Sequence, residues 1–389
     1  MLLARSTGGI GTHVADLTGD LRSLGHDVVI ATDPVTAGSF GWDDAELLWP
    51  AGGASSGGVD ARHRVAARRV RLARLRALLR TADIVHAHGH QAGSLAALVV
   101  SSLPRRRRPA LVVSLHNAVL GGVSRQRLGT ISAKPFAATA QLVTGASSDL
   151  VEQARAWGAG WTELAAVPSP LVPDLLRLQP LGRGARREQA RTLLESVGIP
   201  PASTDSDLVL TVARIAPQKD LPTLVAAAAR GDLADRDAEP RNDRIWVVIG
   251  GGDARLAEQL REQTRQVQAP LHFIGPQSDP APWLRAASIF VLTSHWEARA
   301  LVVQEALAAG TPVVARDAGG LRDLVDGVGV LIDTSDPGAW AHAVGELLQD
   351  SRAWHTASAA GRERASEWDD SRATATRWVS WYASARAMT

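Results

Sequence analysis

The sequence predicts an α/β protein of two parallel sheets, each covered by helices on both faces, closed by helices at its C-terminus. Three observations carry that prediction. Short apolar runs alternate with amphipathic segments along most of the 389 residues, the pattern of strands joined by crossover helices. The alternation breaks at Pro168-Ser-Pro170 and Pro173 and then restarts, which marks a connection between domains. The length suits two domains at roughly 100–200 residues each. The expected division is 1–170, then 171–362, with 363–389 as terminal helices that pack back on the first domain.

In the first half, Leu2-Leu-Ala reads as a clipped strand, followed by the loop Ser6-Thr-Gly-Gly-Ile-Gly-Thr12. Val14, Leu17, Leu21 and Leu24 mark one face of a helix that stops at Gly25. Strands are expected at 27–32, 84–87, 110–115 and 142–144. In the second half they are expected at 208–213, 246–250, 271–275, 289–292 and 312–315. Helices fall between, at about 220–230, 254–268, 281–287, 301–309 and 337–350. Trp368, Trp378, Trp381 and the lone Tyr382 belong to the closing helices, where they are expected to pack between domains rather than stack on a ligand.

Composition excludes several chemistries. There is no cysteine, hence no disulfide, no thiol nucleophile and no cysteine-based metal site. No run approaches the roughly 20 apolar residues of a membrane span, and the start lacks signal-peptide anatomy. The expectation is a soluble, cytoplasmic protein. Residues 1–170 carry a net charge of +6 and the remainder −4. The first-half charge gathers in a basic stretch from Arg62 to Arg80, striped by Val65, Leu72, Leu75 and Leu79, and in Arg105-Arg106-Arg107-Arg108. A basic amphipathic helix suits contact with anionic lipid at the inner face of a membrane; a solvated helix packed on a sheet explains it equally. Only two of 42 basic residues are lysine, Lys134 and Lys219. A compact ammonium and a planar guanidinium are not interchangeable, so Lys219 draws notice.

Chemistry concentrates in the second half. Glu297 precedes a helix, Glu305 lies inside it, and Gly310 and Pro312 end it. Carboxylates here can each accept bonds from vicinal hydroxyls, while free amides at a helix start meet an anion. Hydroxyls at both ends with a diphosphate between describe a nucleotide sugar. Arg214-Ile-Ala-Pro-Gln-Lys219 follows a strand, the side of an open α/β sheet where ligands bind. Two cations there would neutralise a diphosphate and stabilise it on departure. Gly250-Gly251-Gly252 closes another strand, as either a tight turn or a close approach of backbone to ligand.

Other motifs admit rival readings. Gly9-x-Gly11-x-x-Val14 with Asp33 resembles a dinucleotide fingerprint lacking its third glycine, which points to an NAD-type oxidoreductase. His86, His88 and His90 alternate at a strand end, but no cysteine or carboxylate completes a site, so no metal is expected. His116, at the next strand end, is the better candidate for the cleft. Asp205-Ser-Asp207 and Asp235-Arg-Asp237 spell Asp-x-Asp away from strand carboxyl ends and read as surface charge.

Taken together, Gly8-Gly-Ile-Gly-Thr-His-Val14, Val212-Ala-Arg-Ile-Ala-Pro-Gln-Lys-Asp220, Val247-Val-Ile-Gly250 and Glu297–Glu305 with Ala309-Gly-Thr-Pro-Val-Val314 resemble the retaining GT-B glycosyltransferases of family 4, or glycosyl transferases group 1. The likeness covers nearly the whole chain. It implies two facing Rossmann-like domains and a hexosyltransferase-type enzyme. It also implies metal-independent transfer from a nucleoside-diphosphate sugar to an acceptor hydroxyl, without a cofactor. By position, Arg214 and Lys219 would hold the diphosphate, Glu297 the donor sugar and Glu305 the ribose. Amides through Ala298, Leu301 and Val302 would meet phosphate, and backbone near Phe273 and Ile274 the base. His116 would contact the sugar, and Gly9 and Gly11 would let the acceptor loop approach it. A lipid-linked or cell-envelope acceptor and a soluble one both remain open; nucleic acid is not expected. Where the family has Gly, an aromatic and a small residue after the first Glu, this chain has Ala298-Arg299-Ala300. Arg299 could select a charged sugar or a phosphorylated acceptor, or merely point to solvent, and the departure alone supports a catalytically silent binding protein. Pro168-Ser169-Pro170 replaces the usual Pro-Asn-Gly.

Overall fold

A computed structural model describes residues 1–6, 8–48, 61–118, 133–200, 205–230 and 244–389, with backbone alone for 61–69. Asp235 and Asp237 lie outside the described residues. Two compact units result, Met1–Val167 with Ser371–Thr389, and Pro168–Asp370.

The first unit holds a parallel sheet of seven strands: β1 Leu2–Leu3, β2 Ala31–Thr32, β3 Glu46–Leu47, β4 Ile84–His88, β5 Ala110–Leu115, β6 Leu142–Gly145 and β7 Thr162–Leu164. Their order is β3-β2-β1-β4-β5-β6-β7. All six side chains of β5 are buried, as a central parallel strand covered on both faces requires. Helix Gly9–Ser23 buries Val14, Leu17 and Leu21 against the sheet, whereas Leu24 is exposed. The strand expected at 27–32 forms a ladder only at its last two residues, because β1 offers just Leu2 and Leu3 to pair with. The short strands β3 and β7 escaped the pattern reading: two or three residues cannot display a period. Helix Ser371–Ala387 packs Ala375 and Trp378 into this unit's core beside Leu17, Leu21, Ala110 and Val112. Trp378 and Tyr382 both meet His86 of β4, so these aromatics belong to the interior of one unit.

The second unit holds six parallel strands: β8 Asp207–Val212, β9 Arg244–Ile249, β10 Leu271–Gly275, β11 Ile289–Leu292, β12 Val313–Arg316 and β13 Val330–Ile332. The order β10-β9-β8-β11-β12-β13 reverses direction between β8 and β11, the point where open α/β sheets bind ligands at their carboxyl edge. Asp207 corrects the sequence reading. It is buried on β8, bonded to Arg183, Arg187 and Ser288, and those partners hold its carboxyl below the ordinary range despite burial. Helix Leu301–Ala308 buries Val303, Ala306 and Leu307 completely, which fixes it between β11 and β12. No helix among the described residues is long and apolar enough to cross a membrane.

Candidate functional site

The loops after β8 and β11 are stitched together. Gln218 Nε2 donates to the Trp296 carbonyl at 2.6 Å and the His295 amide to the Gln218 carbonyl at 2.9 Å. The Thr293 hydroxyl donates to the carbonyls of Lys219 and Asp220. Asp220 occupies the left-handed region at φ 47°, a conformation costly for a residue with a Cβ. It is held there by Arg316, whose Nη2 lies 2.7 Å from its carboxylate and whose Nε donates to the Thr293 carbonyl. The outcome is that the Lys219 ammonium meets the Glu297 carboxylate in an ion pair with both side chains mostly buried. Arg214, at the head of the same loop, is exposed. The structure thus assembles Lys219 and Glu297 directly and leaves Arg214 at the rim.

Gly319 closes the Glu297 side. A Cβ on it would lie 2.4 Å from the Glu297 carbonyl, and its φ of 55° suits glycine alone. The next amide, Gly320, donates to that carbonyl at 2.8 Å. The Gly250–Gly252 turn serves packing instead: a Cβ on Gly250 would strike the Ala213 carbonyl at 2.0 Å. Close approach there is between strand-end loops.

Helix Leu301–Ala308 begins at Ala300 without a side-chain cap, so the amides of Leu301 and Val302 remain available to an anion, with the positive end of the helix dipole behind them. Ala298 lies in the loop just ahead of it. Its far end is neutralised. Arg186, wholly buried, donates to the carbonyls of Ala309 and Gly310 at 3.0 and 2.8 Å, and also to Arg285, Ala287, Leu181 and the Thr311 hydroxyl. Arg362 donates to the Ala308 carbonyl at 2.7 Å. Burial lowers the Arg186 pKa to about 10.

Glu305, on the same helix, is buried, and its Oε1 accepts from the Ser169 hydroxyl at 2.6 Å. Burial raises its pKa, and the Ser169 bond opposes the rise. Arg299 is half-buried. Its guanidinium lies 5.2 Å from the Trp368 ring centre, and burial lowers its pKa to about 10 against the pull of Asp323. Ile274 is half-buried on β10, its carbonyl accepting from Gln277 at 3.4 Å.

In the first unit, Gly11 lies in the first turn of helix Gly9–Ser23, where a Cβ would strike the Phe40 ring at 2.2 Å. Gly9 has open space around it. Asp33 is occupied: its carboxylate caps helix Pro34–Phe40 through the amides of Val35 and Thr36 and the Thr36 hydroxyl. That leaves the fingerprint reading without its ribose-binding acid. His116 is buried, and its Nε2 shares a 3.1 Å hydrogen bond with His88 Nδ1. Burial lowers its pKa to about 3 and that of His13, tilted against it, to about 4. Of the triplet 86, 88 and 90, the rings of His86 and His88 lie 4.0 Å apart, whereas His90 packs on Phe136 and Trp157. His86 is held by Tyr382 and Ser114, while His88 turns to His116. A cavity of about 530 Å³ lies at the other end of this sheet, lined by Met1, Val28, Ile84 and Tyr382, away from the strand carboxyl ends.

Sequence reasoning missed Asp220, Arg316, Arg186 and the use of Ser169. Only Ser169 left a signal, in the altered Pro-Ser-Pro connection.

Comparison with known proteins identifies the family. Residues 195–364 match the family described as Glycosyl transferases group 1, and residues 8–170 that described as Glycosyl transferase 4-like domain. D-inositol 3-phosphate glycosyltransferase 2 of Catenulispora acidiphila is 38% identical over 217 residues, 54% of this chain and 48% of that protein. The chain thus spans about half the length of that relative. D-inositol 3-phosphate glycosyltransferase of Xylanimonas cellulosilytica is 33% identical over 319 residues, 75% of this chain and 70% of that protein. The structure of Anabaena Alr3699/HepE in complex with UDP aligns with a TM-score of 0.76 at 17% identity, over 98% of this chain and 99% of that one, a likeness of fold. With both halves matched and one relative covered over most of its length, the chain belongs to the glycosyl transferases of group 1, enzymes of the GT-B fold.

Proposed function

We propose that this chain moves a sugar from a nucleoside-diphosphate sugar to an acceptor hydroxyl with retention of anomeric configuration, using Arg214 and Lys219 in place of a metal at the diphosphate. The observation that carries the reading is the Lys219–Glu297 pair at the point where the second sheet reverses order, beside an uncapped helix start. Lys219 is ready to exchange its carboxylate partner for phosphate, which frees Glu297 for sugar hydroxyls. The amides of Leu301 and Val302 and the helix dipole add positive potential where the leaving group gathers charge. Glu305 takes the ribose, and His116, a neutral imidazole, contacts the sugar through a hydrogen bond rather than through charge. The departing phosphate oxygen receives the acceptor's proton on the same face.

UDP is the first nucleotide to try, because the fold relative binds UDP and UDP-glucose. D-inositol 3-phosphate is the first acceptor, from the relatives' names. The oxidoreductase alternative loses its support with the engagement of Asp33. Thermal unfolding with UDP, GDP, ADP and NAD, each in excess, tests the reading. A ligand of the folded state at a hundred times its dissociation constant adds about 2.7 kcal/mol. Stabilisation by one nucleoside diphosphate, reduced in Lys219→Ala, is expected; stabilisation by NAD alone would overturn it.

A further inference from the structure

Three imidazoles converge in the first unit, where the order of its sheet reverses between β1 and β4. His13 comes from the first helix, His88 from the end of β4, and His116 from just beyond β5. Nitrogens from all three lie within 4.8 Å of one another. The 3.1 Å between His88 Nδ1 and His116 Nε2 is close to the roughly 3.3 Å between two nitrogens on a tetrahedral ion with bonds of about 2.0–2.1 Å. Ring geometry agrees independently. Three imidazoles around one such ion would have centroids about 5.2 Å apart, from that bond length plus the ring radius. Here the separations are 5.3 Å for His88–His116, 5.4 Å for His13–His116 and 5.9 Å for His13–His88.

The surroundings select the ligand class. The nitrogens that would hold the ion include His88 Nδ1 and His116 Nε2, which now share one hydrogen bond. Burial keeps all three rings neutral near pH 7, which leaves lone pairs to donate and little positive charge to repel a cation. His86 lies against His88, ring centres 4.0 Å apart, but both of its nitrogens are taken by hydroxyls. Imidazole donors without carboxylate favour zinc, cobalt or nickel over magnesium or calcium.

We propose that His13, His88 and His116 form a binding site for a divalent transition-metal ion of the zinc class, with water in the fourth position. The ion takes the place of the proton now shared between His88 and His116. It has no part in the proposed transfer, whose diphosphate is handled in the other unit. Its consequence rests on the reading of His116 as a sugar contact: an ion on His116 withdraws that ring, so zinc inhibits.

Cobalt titration of the purified, metal-free chain provides the test. Four-coordinate Co²⁺ bound by nitrogen absorbs strongly in the visible, and the band is expected to saturate at one equivalent and bleach with one equivalent of Zn²⁺. His13→Gln should abolish it, as should His88→Ala. His342→Ala removes half of the exposed His342–Glu346 pair, the rival surface site, and should leave it intact. A band that survives His13→Gln, or none at one equivalent, overturns the site. Should His88→Ala fail to fold, His13→Gln decides, with circular dichroism as the fold check. This spectroscopy needs no substrate, so it stands apart from the transferase reading. Zinc is then expected to lower transfer by at least tenfold in the wild type at one equivalent; full activity with zinc bound would overturn the inhibitory role alone.

Discussion

The carboxyl edges of the two sheets use opposite electrostatics. In the second unit the strand ends and the elements that follow them present Arg214, Lys219, Glu297 and Glu305, with Lys219 paired to Glu297 across loops and an uncapped helix start beside them. In the first they present His13, His88 and His116, all buried and neutral. Both sheets reverse their order in the middle, the position where open α/β sheets bind ligands. Side chains then decide what each can hold. Under the proposed function, charge would meet the diphosphate, while neutral nitrogen suits hydroxyls or a transition-metal cation.

The sharpest test of this contrast is Glu297→Gln, which keeps shape and removes charge. Transfer is expected to fall about 100- to 1,000-fold, while UDP still raises the melting temperature. Loss of both would make Glu297 a structural partner of Lys219 rather than a sugar contact. Acid should separate the units next. His13 and His116 have folded-state pKa values of about 4 and 3, below the unfolded value of about 6.5. Their contribution is therefore complete above about pH 6.5 and is lost as pH falls toward those values. At pH 5.5 each has forfeited about 1.4 kcal/mol. Hydrogen exchange should show protection of β5 falling from pH 7.5 to 5.5 by more than that of β11, after correction for intrinsic rates; equal change contradicts the assignment.

Arg186→Met should act on the other side, destabilising the second unit by about 2 kcal/mol through stranded carbonyls, read as a drop in urea midpoint at unchanged slope. The smallest effect is Ser169→Ala, expected to cost about 1 kcal/mol. Because the Ser169 bond favours the ionised form of Glu305, its loss should move the acid limb of UDP binding to higher pH. Ser169→Thr should restore it. An unmoved limb would detach Glu305 from nucleotide binding.

Much of this was legible in the chain. The apolar run from Leu208 located β8, and the break at Pro168-Ser-Pro170 lies beside the division between units. Lys219 and Glu297 stood out through residue type and spacing, since a charge just after an apolar run has few places to go. What escaped falls into two physical classes. Strands such as Glu46–Leu47 and Val330–Ile332 are too short to carry a period and exist because a neighbour offers a ladder. Arg186 and Arg316 read as ordinary surface cations among 42 basic residues, because nothing local reveals that a guanidinium will find buried carbonyls or a carboxylate far along the chain. The histidine trio shares that limit: three elements contribute one ring each.

The scarcity of lysine has a practical side. Among side chains, the protein offers amine-directed reagents only Lys134 and Lys219. Lys134 is exposed, while Lys219 is clasped by Glu297. Acylation followed by peptide mapping therefore carries its own internal standard. The ratio of modification at the two positions reports occupancy around Lys219 in any mixture, with no label, no engineered residue and no knowledge of which sugar is bound.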